Sequence, residues 1–190
     1  MNDSIFTMIN GVANKNEFLD KVMIFISNYG PYISIFVVCA IFLMGLINRN
    51  ENQRKIAVDT FFITVIGMVI SFIIGSIYYR ERPFVNNKVN LLIEHKSNAS
   101  FPSDHSLGTM SIAVGMGMYN KILGIILGVL SLLVGISRVY VGNHYPIDVL
   151  AGYVIAWVIG YLYSKFLRKY VQKIYGSIEC ILGISYKNKH

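Results

Sequence analysis

The chain has 190 residues, 54% of them hydrophobic and only 14% charged, against roughly 25% charged residues in a soluble domain. Its net charge of +7 raises nucleic acid as a partner. The basic residues gather at the ends of apolar segments, however, which is the pattern of membrane topology and anionic headgroups, and nucleic acid is excluded on that ground. Two cysteines, Cys39 in an apolar run and Cys180 near the C-terminus, give neither a disulfide framework nor metal-ligand spacing.

One domain over 1–190 is expected, since no linker or repeat divides the chain. Ile5, Met8, Ile9 and Val12 fall at helical spacing, with Ser4 as N-cap, and predict an amphipathic helix in the membrane interface. Val22 to Ile47 carries no charge and is long enough to span a bilayer. Asn28-Tyr29-Gly30-Pro31 is expected to bend or break it near its start. Ile56 to Tyr79 is the second span, with Asp59 near its loop end. Arg80 to Asp104 is a long polar connection. Ser106 to Tyr119 and Ile122 to Ser137 are shorter apolar stretches, parted by Asn120-Lys121. Ile147 to Ser164 is the fifth span.

Lys165 to His190 is basic and amphipathic, with Phe166, Tyr170, Ile174, Ile178 and Leu182 recurring every fourth residue. That suits a helix on an anionic leaflet, or a continuation of the fifth helix packed on its neighbours. The lysines of this tail are expected to serve anchoring rather than catalysis. The fold class is thus an all-α integral membrane protein, a bundle of about five transmembrane helices with amphipathic helices at both ends.

Five spans put the termini on opposite sides. The C-terminal side holds Arg49, Arg54, Lys55, Lys121, Lys165, Arg168, Lys169, Lys173, Lys187 and Lys189, ten basic residues against seven on the other. The excess of cytoplasmic Lys and Arg in membrane proteins then places the C-terminus in the cytoplasm, and the polar connections outside.

Three of those connections carry chemistry. Pro146 suits a first helical turn, so His144 and Asp148 lie on one helix face, where a carboxylate accepting from one ring nitrogen leaves the other as a nucleophilic lone pair. Arg138, across the same loop, offers a planar fork for two phosphoryl oxygens. Pro102-Ser103-Asp104-His105 opens a helix whose free N–H groups form an anion site. There Ser103 adds a hydroxyl and His105 an acid for a leaving oxygen. Arg82-Pro83 closes the second span. Singly, each has an ordinary explanation: a snorkelling Arg, an N-cap, a helix terminator. Hydropathy alone gathers all three on one membrane face, and the set suits phosphoryl transfer at a membrane surface.

These motifs resemble the type 2 phosphatidic acid phosphatase superfamily, whose pattern is Lys-x6-Arg-Pro, Pro-Ser-Gly-His and Ser-Arg-x5-His-x3-Asp. The third motif matches in full at Ser137, Arg138, His144 and Asp148. The resemblance implies that His144 attacks phosphorus, Asp148 orients it and His105 protonates the leaving group. Arg82, Arg138 and Ser103 would hold the phosphoryl oxygens, with Asp104 and Ser137 in the same phosphate-binding set. It implies no metal and no cofactor, and no Asp/Glu/His cluster with metal-ligand spacing is seen in the sequence. The chain departs from the pattern twice. Gly75 stands where the lysine falls, and Arg80, five residues on, is rotated by about 140° around a helix. Lys88, His95 or Lys96 could replace that lysine, or nothing does. Asp104 replaces the glycine, and is expected to position an arginine or the diphosphate leaving group.

Both departures, with Tyr78-Tyr79-Arg80-Glu81-Arg82-Pro83-Phe84, are similar to the bacitracin-resistance type of undecaprenyl-diphosphate phosphatase. That implies a polyprenyl diphosphate substrate and membrane lipids as partners, in recycling the cell-wall lipid carrier. Another lipid phosphate, phosphatidylglycerol phosphate or phosphatidate, is the competing substrate. A transporter would carry charge at mid-span, and these spans hold almost none. A vanadate haloperoxidase would be soluble and keep the lysine. The intact His105, His144 and Asp148 argue against a catalytically dead relative.

Overall fold

The structure is a computed structural model that describes residues 2–182 and Ile184. Lys187 and Lys189 of the charge balance, and the tail beyond Ile184, lie outside the described residues. The order is α1 (Asn2–Asn10), α2 (Glu17–Ile47), α3 (Glu51–Ile77), a single turn α4 (Pro83–Asn86), α5 (Asp104–Gly117), α6 (Lys121–Tyr140) and α7 (Pro146–Leu162). A π-helical turn, Tyr163–Leu167, then leads into α8 (Arg168–Ile181). Four helices are long and apolar enough to cross a membrane: α2, α3, α6 and the continuous run Pro146–Ile181.

The remaining apolar stretch expected from the sequence, Ser106 to Tyr119, forms α5, which is not among those four. Its 14 residues reach about 21 Å at 1.5 Å per residue, short of the roughly 30 Å hydrocarbon core. Almost all of it from Ser106 to Met116 is buried, packed against α2, α3, α6 and α7. The shortest helix is therefore the central one, screened from lipid by the others. Asn16, Asn50 and Asn120 cap α2, α3 and α6, each accepting from the backbone N–H three residues on.

The bundle buries many small polar residues among its apolar core and exposes large apolar ones. Ser27, Ser34, Thr60, Ser71, Ser106, Ser111 and Ser131 are buried, while Phe36, Phe72, Ile77, Ile122 and Trp157 are exposed. In lipid, apolar surface has no reason to hide, and small residues let helices approach closely.

The first two helices differ from the sequence expectations at two places. α1 begins at Asn2, so Ser4 lies inside it and does not cap it. Its buried side is Phe6 and Asn10, and the stripe of Ile5, Met8 and Val12 points outward. α2 runs unbroken through Pro31. Proline inside a membrane helix is tolerated where its neighbours support the turn. Pro31 removes the donor to the Ser27 carbonyl, and one turn on Ser34 adds a side-chain bond to the Gly30 carbonyl.

The tail takes the second of its two readings: it continues α7 and packs on α3. Glu179 pairs with Arg54, and Gln172 donates to Asp59 at 2.9 Å. Its apolar stripe, Phe166, Tyr170, Ile174, Ile178 and Leu182, still faces outward. The tail thus holds the bundle together as well as offering a surface to lipid.

Candidate active site

The end of α3, the starts of α5 and α7 and the end of α6 lie at one end of the bundle, so all three motifs share a face. The loop from α6 to α7 sets the geometry. Gly142 has φ +88°, and a Cβ there would lie 3.1 Å from the Asn90 carbonyl oxygen, so only glycine fits without strain. Pro146 then opens α7, and Asp148 accepts from the Tyr145 N–H at 2.9 Å, capping the helix from within. At Gly152 a Cβ would come within 3.1 Å of the Leu107 nitrogen, so α7 rests directly on the first turn of α5. The Ser103 N–H donates to the Asp148 carbonyl at 3.0 Å across that contact.

His144 is 1% exposed. The expected direct hydrogen bond to Asp148 is not made: Nδ1 stands 3.8 Å from Oδ2. Ser100 intervenes. Its carbonyl lies 2.9 Å from Nδ1, and its hydroxyl donates to Asp148 Oδ2. A carbonyl only accepts, so Nδ1 carries the proton and Nε2 keeps the lone pair. The other ring contact agrees, since the Arg82 Nη1 donor lies 3.0 Å from Nε2. Burial, then the charges of Arg82 and Arg138, holds the ring well below its ordinary pKa, in the neutral form a nucleophile needs.

Asp148 is fully buried, and both its oxygens are occupied. Besides Ser100 and Tyr145 it meets Arg80 Nη1 at 3.0 Å. Arg80 lies over the Tyr145 ring, 4.4 Å from its centroid, and that ring packs on Phe6 of α1. Asp148 therefore orients His144 through Ser100 and the loop backbone.

Two guanidiniums flank the imidazole. Arg82 donates to Asn98 Oδ1, the Asn143 carbonyl and the Ala99 carbonyl. Burial lowers its pKa, and the carboxylates of Asp104 and Asp148 oppose that shift. Arg138 donates to Ser27 of α2 at 2.8 Å, and its Nη2 lies 3.3 Å from Asn143, whose amide faces Ile93 on its other side. Arg138 Nε is buried with no partner. An unpaired charged donor beside a neutral nucleophile is a vacancy suited to an anion.

The α5 motif divides. Asp104 is exposed and takes a hydrogen bond from Ser71 of α3, not from an arginine, although Arg82 lies within its electrostatic reach. His105 is half-buried within electrostatic reach of Arg138, His144 and Arg82. The Ser103 hydroxyl is fully buried and accepts from Ser106. Ser137, expected among the phosphate ligands, points its hydroxyl into its own helix, donating to the Val134 carbonyl at 2.7 Å. The geometry leaves Ser137 a packing residue.

Sequence reasoning missed Ser27, Ser71, Asn98, Ser100 and Asn143. None is a defining residue of a motif, although Asn143 lies between Arg138 and His144, and their signal is that polar side chains inside a membrane bundle need partners. Of the residues weighed for the missing lysine, Lys88 lines a small recess with Phe6, Asn10 and Asn90, away from this cluster. Lys96 is exposed, and His95 is half-buried. Gly75 itself faces Ala99 and the Phe101 carbonyl. Among the described residues no group of His, Cys, Asp and Glu could hold a metal ion. An apolar groove of about 850 Å³, bordered by Gly124, Gly128, Trp157 and Ser164, opens sideways toward the opposite end.

Residues 56–172 match the PAP2 superfamily. Undecaprenyl-diphosphatase BcrC of Bacillus subtilis is 38% identical over 186 residues, 96% of this chain and 94% of that protein. An undecaprenyl-diphosphatase of Sulfolobus acidocaldarius is 32% identical over 85% of this chain and 76% of its own. The crystal structure of a transmembrane PAP2-type phosphatidylglycerolphosphate phosphatase from Bacillus subtilis superposes with a TM-score of 0.69 at 25% identity, covering 88% of this chain and 86% of that one.

Proposed function

The chain belongs to the PAP2 superfamily as a multi-pass membrane protein, and from that premise we propose that it hydrolyses undecaprenyl diphosphate to undecaprenyl phosphate and inorganic phosphate. The observation that carries the mechanism is the tautomer of His144, whose Nε2 lone pair faces Arg82 and lies within electrostatic reach of Arg138, whose Nε has no partner among the described residues.

The terminal phosphate enters between the two guanidiniums. Arg82 Nη1 moves its hydrogen bond from Nε2 to a phosphoryl oxygen, which uncovers the lone pair. Nε2 attacks phosphorus, the P–N bond forms, and the bond from phosphorus to the bridging oxygen breaks. His105 protonates that oxygen on the leaving lipid phosphate. Water, deprotonated by the same imidazole, then breaks the P–N bond and releases phosphate. The arginines hold the equatorial oxygens as charge develops on them. Ser100 and Asp148 keep Nδ1 protonated and take up part of the positive charge of the ring.

Detergent-purified protein is assayed for phosphate release with a chelator present, on undecaprenyl diphosphate and on phosphatidylglycerol phosphate. Wild type is expected to prefer the polyprenyl diphosphate, and His144→Ala to lose at least about a thousandfold. Preference for the glycerophospholipid would keep the chemistry and replace the substrate. No release from either by folded protein would sink the phosphatase reading.

The site faces outward and the C-terminus lies in the cytoplasm of the bacterial cell. Arg49, Lys55, Lys121, Lys169 and Lys173 at the end away from the motifs support this orientation. Cys180, exposed near that end, is expected to resist a membrane-impermeant maleimide in intact cells and to react after permeabilisation. Labelling in intact cells would invert the topology.

A further inference from the structure

His95 lies in the long connection between α4 and α5, outside every motif. On both sides of it that connection is tied to the active site. On one side the Leu92 N–H donates to the Val141 carbonyl at 3.1 Å, and the Ile93 carbonyl meets the Asn143 amide at 3.2 Å. On the other side Asn98 and Ala99 accept from Arg82, and Ser100 holds His144. The short stretch between these anchors bears His95 and is therefore held beside the site, with Arg82 and Arg138 within its electrostatic reach. The Lys96 carbonyl is 3.1 Å from His95 Nδ1, so Nδ1 carries the proton and Nε2 is left without a hydrogen bond to the described residues.

The surrounding charges match that placement. Arg82, Arg138, Asp104, His105 and His144 all lie within electrostatic reach of His95. Burial, and then the two arginines acting against the Lys96 carbonyl, disfavours the protonated ring. An anion bound between the arginines and His95 cancels that repulsion, and Nε2 then takes up a proton and donates it to the anion. Depth decides which anion group this is. Arg82 and Arg138 are 3% and 2% exposed and surround the group transferred to His144. His95 is half-buried, one layer farther out, where the rest of the substrate must pass.

We propose that His95 binds the non-transferred phosphate of a diphosphate ester, making it a specificity residue that favours diphosphates over monophosphates. This rests on the diphosphatase reading above and identifies the residue that reads the second phosphate.

The test measures dissociation constants of two non-hydrolysable probes with the same short prenyl chain, a methylene bisphosphonate and a monophosphonate. They are measured on wild type, His95→Ala and His95→Lys, beside wild-type turnover on the two lipid substrates. The expected result is about tenfold weaker bisphosphonate binding in His95→Ala, from one lost charge-assisted hydrogen bond. Monophosphonate binding should shift less than about twofold, and His95→Lys should recover most of the bisphosphonate affinity. Retained monophosphonate binding also reports a folded site. Equal losses for both probes, or no loss for either, would overturn the proposal. Wild-type turnover reads the substrate separately: a diphosphatase whose His95→Ala variant keeps its bisphosphonate affinity refutes only the role of His95.

Discussion

Arg54 and Arg138 are both 2% exposed, and the bundle treats them in opposite ways. Arg54, at the end where α2 gives way to α3, faces Glu179 of the tail and donates to the Gly45 carbonyl at 2.9 Å. One helical step deeper, Asp59 accepts from Tyr163 at 2.7 Å and from Tyr119 and Gln172, with Arg168 Nε 3.3 Å away. The charges of that end neutralise one another. Arg138, at the other end, has a serine and an asparagine for partners and an Nε with none. Desolvating a charge costs free energy that only a counter-charge restores. Arg54 regains it on folding through Glu179, whereas Arg138 has no ion pair among the described residues, and in the proposed reaction the substrate anion would supply one. The first end is a fastening and the second a candidate site.

The largest effects should come from removing each guanidinium. Arg138→Met is expected to lower kcat/KM by at least about a hundredfold, the loss of an oxyanion-type donor, without lowering the unfolding midpoint. Arg54→Met should do the reverse. It strands the buried Glu179 and destabilises the protein by on the order of 3 kcal/mol, while turnover per folded molecule stays within about twofold. Thermal unfolding beside turnover reads both, and an Arg138 variant that lost stability but kept its rate would dissolve the contrast.

The tail belongs to the fastened end. Truncation after Ser164 removes Arg168, Gln172 and Glu179, and so takes the counter-charges of Asp59 and Arg54. It should cost stability before it costs membrane attachment, which thermal unfolding of the membrane-inserted protein would reveal.

A smaller effect separates the ends by pH. The folded state holds His144 well below its ordinary value of 6.5. Below that pH the unfolded chain binds a proton that the folded chain refuses, so stability falls as pH drops and is level above it. The unfolding midpoint of wild type should decline more steeply below pH 6.5 than that of His144→Gln. Parallel curves would mean that the ring is protonated in the folded protein.

Much of the site was legible because its residues stand close together in the chain. The pairing of Arg138, His144 and Asp148 around one turn follows from helix ends and a proline. The hydrogen bond expected from the His144–Asp148 spacing was too simple. Four residues along a helix bring side chains to one face, but Ser100 enters from another connection and takes Nδ1 first. Ser27 on Arg138, Arg80 on Asp148 and Ser71 on Asp104 are pairings of the same kind. Each joins residues far apart in sequence, and no periodicity predicts it.

Hydropathy, helix caps and motif spacing by themselves determined a membrane bundle, its spans, and the gathering of two histidines and two arginines at one end. Those are properties of single segments, set by the transfer of apolar surface and by backbone hydrogen bonding within a helix. Only the tertiary structure decided which nitrogen of His144 holds the proton, which buried arginine has no ion-pair contact among the described residues, and whether the tail lies on the leaflet or fastens α3. Those depend on desolvation and on the few polar partners within reach, and both are set by helices brought together from opposite ends of the chain.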